Sequence, residues 1–91
     1  MKTREDIFNA LKSALIELFE TPEQVITLEA SLAEDIDIDS IDSFDLLVRL
    51  EEETGLNLTP DDFKDCRTLG DLVSHLHKRI NDEDQESSQV A

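Results

Sequence analysis

The stretch EDIDIDSIDSFDLLVRLEEE, residues 34–53, divides in the middle. Acids alternate with isoleucine up to Asp39, and beyond it apolar residues return at helical intervals. The dipeptide Asp-Ser stands at the divide and again three residues later, as Asp39-Ser40 and Asp42-Ser43. A helix starting at Asp39 or Ser40 and running to about Thr54 accounts for the second half, with Gly55 as its terminator. On that helix Ser43, Leu46, Leu47 and Leu50 form a stripe suited to a core. Ile41, Phe44 and Val48 form a second stripe beside it. Asp39, Asp42, Asp45, Glu51 and Glu52 fall along the exposed side, around that second stripe.

Upstream, Thr3 followed by Asp6 resembles a capping box with Asp in place of Glu. Ile7, Leu11, Ala14 and Leu18 then recur at helical spacing, and Phe8, Leu15 and Phe19 widen the stripe. This predicts a first helix over Arg4–Phe19. Thr21-Pro22 stops it, because a residue before proline avoids helical geometry. Residues 23–39 read as irregular, with Val25, Ile26, Leu28, Leu32 and Ile36 able to tack the segment onto a helical core. A loop this long in a small domain points to function.

Downstream, Thr59-Pro60-Asp61-Asp62 offers a capping hydroxyl, a proline at the first helical position and acids in the first turn. It predicts a short helix over residues 60–65. A last helix begins after Thr68 and turns Leu69, Leu72, Val73, Leu76 and Ile80 inward, with Lys78 and Arg79 in its final turn. The remainder, NDEDQESSQVA, is polar, acidic and unpatterned, and is expected to be disordered. The reading is an all-α four-helix bundle with a long first loop and a short third helix, spanning residues 1–81, followed by an acidic tail over 82–91.

Ninety-one residues make one small domain with a modest core. With no Trp or Tyr and four Phe, that core rests on Leu, Ile and Val. The 23 acids against 8 bases leave a net charge of −15. Such a charge opposes binding to nucleic acid or to an anionic membrane surface. It favours basic partners, keeps the chain soluble and monomeric, and costs stability at low salt. The N-terminus MKTREDIF has no apolar stretch of signal-peptide length and no segment is long enough to span a bilayer, so a cytoplasmic location is expected. The single cysteine, Cys66, excludes an internal disulfide and is too few for a zinc site.

A serine at a helix start ordinarily caps the helix. Ser40, however, follows a long loop, sits in a collar of Asp35, Asp37, Asp39 and Asp42, and precedes exposed apolar residues. No His or Lys lies near it on the helix to act as base, and no G-x-S-x-G elbow is present. Such a serine is a poor nucleophile on its own, yet a separate enzyme bringing base and metal can modify it.

Leu32, the run Asp35-Ile36-Asp37-Ile38-Asp39-Ser40-Ile41-Asp42, then Leu46, Leu50 and Glu51-Glu52-Glu53 resemble the signature of acyl carrier proteins. The resemblance spans about residues 7–80 and is specific around the serine. It implies a four-helix bundle, no catalysis, and a serine bearing 4′-phosphopantetheine, whose thiol holds acyl groups as thioesters for the enzymes of fatty-acid or polyketide-like biosynthesis. In the family pattern an Asp stands five residues before the modified serine, and Leu followed by acids begins ten after it. Ser40 meets both conditions through Asp35 and Leu50; Ser43 meets neither. Ser40, flanked by Asp39 and Ile41, is therefore the expected attachment site.

The resemblance also implies the partners. These are a phosphopantetheinyl transferase using Mg²⁺ and coenzyme A, then ketosynthase, acyltransferase, ketoreductase or dehydratase type enzymes met through basic patches. Asp39, Ile41, Asp42, Phe44, Asp45, Val48, Glu51 and Glu52 form the implied recognition face. Leu46, Leu50 and Leu72 are the implied walls of an acyl pocket, together with Ile7 and Leu11. Asp37 stands where the family often has glycine, Thr54-Gly55 replaces a common aromatic, and Phe44 and Arg49 replace smaller aliphatic residues. With IDSID, EETG and PDDFKDCRT, these departures resemble dedicated carriers of polyketide-like pathways, such as those making aryl polyenes.

Other signals are weaker. Asp35-x-Asp37-x-Asp39 opens like a calcium loop, but Ser40 replaces its glycine and Leu46 its closing glutamate, so no metal site is expected. His75 and His77 diverge on a helix and make poor joint ligands. Cys66 suits a buried small hydrophobe. The alternatives are an acidic adaptor without prosthetic group, an acidic metal-binding module, and a carrier of aminoacyl thioesters.

Overall fold

The computed structural model describes residues 3–90; for Ser40 and residues 82–90 the description is of the backbone alone. Among the described residues four α-helices follow one another: α1 (Arg4–Phe19), α2 (Ser40–Thr54), α3 (Asp61–Lys64) and α4 (Leu69–Val90). The expected all-α, four-helix order is the one observed, and α1 packs on both α2 and α4.

The helix ends follow local chemistry. Thr3 Oγ1 accepts from Asp6 N–H at 3.1 Å to cap α1. Glu20 closes that helix in the left-handed region at φ 54°, its N–H reaching Ile16 O at 3.0 Å. Gly55 closes α2 at φ 75°, where a glycine carries no steric penalty. Thr68 Oγ1 accepts from Asp71 N–H at 3.1 Å while Asp71 Oδ2 accepts from Thr68 N–H at 3.2 Å, a reciprocal cap on α4.

Ile7, Leu11 and Leu15 of α1, Leu46 and Leu50 of α2, and Leu69, Leu72, Val73 and Leu76 of α4 form the fully buried centre. Leu18 and Leu28, expected to face inward, are exposed instead. Leu18 falls one turn beyond Ala14, where Phe19 takes the inward position and packs on the core.

The segment before α2 is more ordered than its irregular pattern suggests. A 3₁₀ turn spans Glu23–Val25, and Ile26, Ala30, Leu32 and Ile36 are buried. Ser31 pairs with Thr68 in an antiparallel bridge. Leu32 N–H donates to Arg67 O, Leu69 N–H to Ala30 O and Gly70 N–H to Leu28 O, at 2.8–3.0 Å. Only glycine allows the last contact, since a Cβ at Gly70 would stand 2.9 Å from Leu28 O.

Two boundaries differ from expectation. α3 is shorter than residues 60–65, and Thr59 does not cap it through its hydroxyl. Asp62 turns inward and its Oδ2 accepts from Thr59 N–H at 2.8 Å, reversing the donor and acceptor. α4 continues through Val90 rather than stopping near Asn81. Residues 81–90 contain no Gly or Pro to break it, and Asn81 Nδ2 donates back to His77 O at 2.8 Å. Ala91, the end of the expected tail, lies outside the described residues.

Candidate functional site

The start of α2 carries a cap, and Asp39 is that cap. Its Oδ1 accepts from Asp42 N–H at 2.9 Å, satisfying one of the donors a helix start leaves open. Ser40 is the first helical residue and has no capping to perform. Ser43, the second serine, donates its hydroxyl to Asp39 O at 2.8 Å. One serine is thus tied to the backbone, whereas the other stands between exposed Asp39 and exposed Ile41.

The approach to this point is bent by Asp37, whose φ of 62° lies in the left-handed region. Asp35 folds back, its Oδ2 accepting from Ser31 N–H at 2.8 Å. Of the three carboxylates that suggested a calcium loop, Asp35 serves a turn and Asp39 a cap. Among the described residues no group of three or more potential ligands gathers.

Along α2 the second stripe faces water: Ile41 is 74%, Phe44 59% and Val48 51% exposed. Asp39, Asp45 and Glu52 are exposed around it, and Asp42 is half-buried. Glu51 turns aside, its Oε2 accepting from Leu58 N–H at 3.3 Å. Arg49 braces α2 on α1 with 2.7 Å to Glu17 and holds Glu53 at 3.1 Å on its own helix.

Leu46, Leu50 and Leu72, the expected pocket walls, are fully buried. Open space lies beside them instead. A cleft of ≈ 240 Å³ between α2 and α3 is lined by Ser43, Phe44, Leu47, Pro60, Phe63 and Lys64. A neighbour of ≈ 340 Å³ shares Ser43 and Phe63 and adds Leu32, Ile38, Cys66 and Arg67 among its walls.

α3, which walls both clefts, is held by Asp62. This carboxylate is buried; Oδ1 accepts from His75 Nε2 at 2.6 Å and Arg79 Nη1 at 2.7 Å. Burial raises its pKa, but the donors from His75, Thr59 and Arg79 outweigh burial and bring it from 3.8 to about 2. Cys66, half-buried, donates to Asp62 O at 3.3 Å. Burial, with Asp71, Asp65 and Asp62 nearby, pushes its thiol up to about 11, so it is a weak nucleophile at neutral pH.

Residues 9–76 match the family profile described as a phosphopantetheine attachment site. An acyl carrier protein of Thermotoga maritima is 36% identical over 80 residues, covering 88% of this chain and 99% of that protein. The chain belongs to the acyl carrier protein family. "Acyl carrier protein 2" of Ralstonia nicotianae is 39% identical over 71 residues, 78% of this chain and 88% of its own length. The meromycolate extension acyl carrier protein of Mycobacterium bovis is 30% identical over 88 residues, 97% of this chain and 76% of its own.

The prosthetic group of this carrier is 4′-phosphopantetheine. The start of α2 suits it: a phosphodiester on the first helical residue sits at the positive end of the helix dipole, and the capping role falls to Asp39. The family works with phosphopantetheinyl transferases and biosynthetic enzymes, and its members carry groups rather than transform them. Among the described residues no helix of this carrier is long and apolar enough to cross a membrane. Sequence reasoning missed the cleft walls Phe63, Lys64 and Arg67 and the Asp62–His75–Arg79 cluster. The inward acid in PDDF gave no local signal, because its partners lie 13 and 17 residues away.

Proposed function

We propose that Ser40 bears the 4′-phosphopantetheine and that the protein is a non-catalytic shuttle for acyl thioesters in a dedicated, polyketide-like pathway. The observation that carries this is the division of labour at the start of α2. Asp39 caps, Ser43 is bonded to Asp39 O, and Ser40 is the first residue of the helix, directly after the cap. His75 is engaged by Asp62. A transferase brings its own base and Mg²⁺ to the exposed start of α2. The group then supplies a thiol that carries acyl chains.

The dedicated pathway is supported by Asp37, Phe44 and Arg49, which depart from the housekeeping pattern, and by the similarity to a carrier whose name specifies meromycolate extension. Asp39, Ile41, Asp42, Phe44, Asp45, Val48 and Glu52 meet basic patches of transferase, ketosynthase, acyltransferase, ketoreductase or dehydratase type partners, acids steering and apolar residues sealing the contact. The carrier domain is residues 1–81, monomeric and cytoplasmic.

Intact mass before and after treatment with coenzyme A, Mg²⁺ and a broad-specificity transferase tests the attachment. Wild type and Ser43→Ala gain one phosphopantetheine and Ser40→Ala gains none. A folded wild type that gains nothing replaces this reading with that of an acidic adaptor.

A further inference from the structure

Where the cargo rests follows from what is full and what is empty. The bundle centre is filled, with Leu11, Leu15, Leu46, Leu50, Leu69 and Leu72 all at 0% exposure. The adjoining clefts of ≈ 240 and ≈ 340 Å³ beside α3 are open, mainly apolar space against α2. Ser43 lines both and stands one helical turn, roughly 5 Å, from Ser40. Phe63 also lines both.

The clefts are not purely apolar. Lys64 lines the first and Arg67 the second. Neither side chain makes a hydrogen bond or ion pair to another described residue, whereas Lys12 holds Glu23, Arg49 holds Glu17 and Arg79 holds Asp62. In a chain of net charge −15, two cations that line adjoining clefts without a direct ion pair mark the place where acceptor oxygens are welcome. Asp61 and Asp65 flank Lys64 in sequence and Asp71 faces Arg67, so the attraction is local rather than a broad positive field.

We propose that these clefts seat a short acyl group bearing acceptor oxygens at its far end, a carboxylate above all, in preference to a saturated chain of equal length. Phe63, Phe44 and Leu47 cover the carbon skeleton while Lys64 and Arg67 receive the oxygens. This rests on attachment at Ser40 and names the cargo that the attached arm brings back to the protein.

The test loads the full chain with hexanoyl and, separately, with its half-acid counterpart adipoyl, from the corresponding coenzyme A thioesters. Mass confirms each loading; melting temperature and backbone amide shifts are then compared. In wild type the adipoyl form melts about 2–5 °C above the hexanoyl form, the size of a partly screened ion pair in a small domain. Its amide shifts centre on residues 43, 63, 64 and 67. In Lys64→Met/Arg67→Met the gap closes or reverses. Loading without a gap, or a gap that survives the double variant, overturns the cargo assignment and leaves attachment intact. Failure to load in folded wild type overturns both.

Discussion

At φ 62° the backbone of Asp37 lies where a Cβ crowds the next carbonyl, a cost of about 1–2 kcal/mol that glycine escapes. Asp tolerates this region better than most residues, and glycine loses more freedom on folding, so the net gain from replacement is smaller. Asp37→Gly is expected to stabilise the protein by about 0.5–1 kcal/mol, read as a rise in urea midpoint. Asp37→Asn keeps the side-chain size and removes only a charge from the acidic collar, so it should gain less. Equal gains would assign the cost to repulsion rather than to backbone geometry. The contrast matters because Asp37 sets the angle at which the chain enters Ser40, and the family pattern often places glycine there. Identity of residue was readable in the sequence; the positive φ that explains the family's preference was not.

Between elements, the Asp62 cluster is what fixes α3 to α4, and through Phe63 and Lys64 it fixes the wall of both clefts. Its carboxyl has a pKa of about 2 against an ordinary 3.8, so the folded state binds this proton less tightly than the unfolded chain. The stability it adds is present in full above about pH 4 and is lost as pH falls from there through about 2. A depression of that size corresponds to about 2 kcal/mol for this nearly buried group. Asp62→Asn should lose about 2–3 kcal/mol at pH 7, measured by denaturant titration, with a difference from wild type that shrinks towards pH 2. A gap constant from pH 7 to 2 would mean that packing, not charge, holds α3. Both α3 and the loop before α2 show why half of this fold was legible and half was not. Leu46, Leu47 and Leu50 against Ile41, Phe44 and Val48 repeat with the period of one helix, so inside and outside separate by counting. The bonds from Leu28, Ala30 and Leu32 to residues 67–70 join backbone to backbone across 35 residues or more, and no side-chain pattern encodes them. Leu46, Leu50 and Leu72 read as core by the same counting and are core, whereas the clefts beside α3 depend on how separate elements meet, which no single pattern encodes.

The whole molecule carries its charge as a single field. Its radius of gyration is 13.0 Å, shorter than the Debye length of about 30 Å at 10 mM salt and longer than the roughly 10 Å at 100 mM. Over that range the acids stop repelling one another across the bundle, since the ion pairs of Lys12, Arg49 and Arg79 answer only a few of the 23. The melting temperature should therefore climb by several degrees between 10 and 100 mM NaCl. The same screening has the opposite effect on encounter. Acids along α2 draw a basic partner from a distance, and the association rate with a phosphopantetheinyl transferase should fall about tenfold across the same interval. Stability rising while association slows is the signature of one field read in two ways. If the rate is flat where the melting temperature climbs, the charge serves solubility alone, and recognition rests on Ile41, Phe44 and Val48.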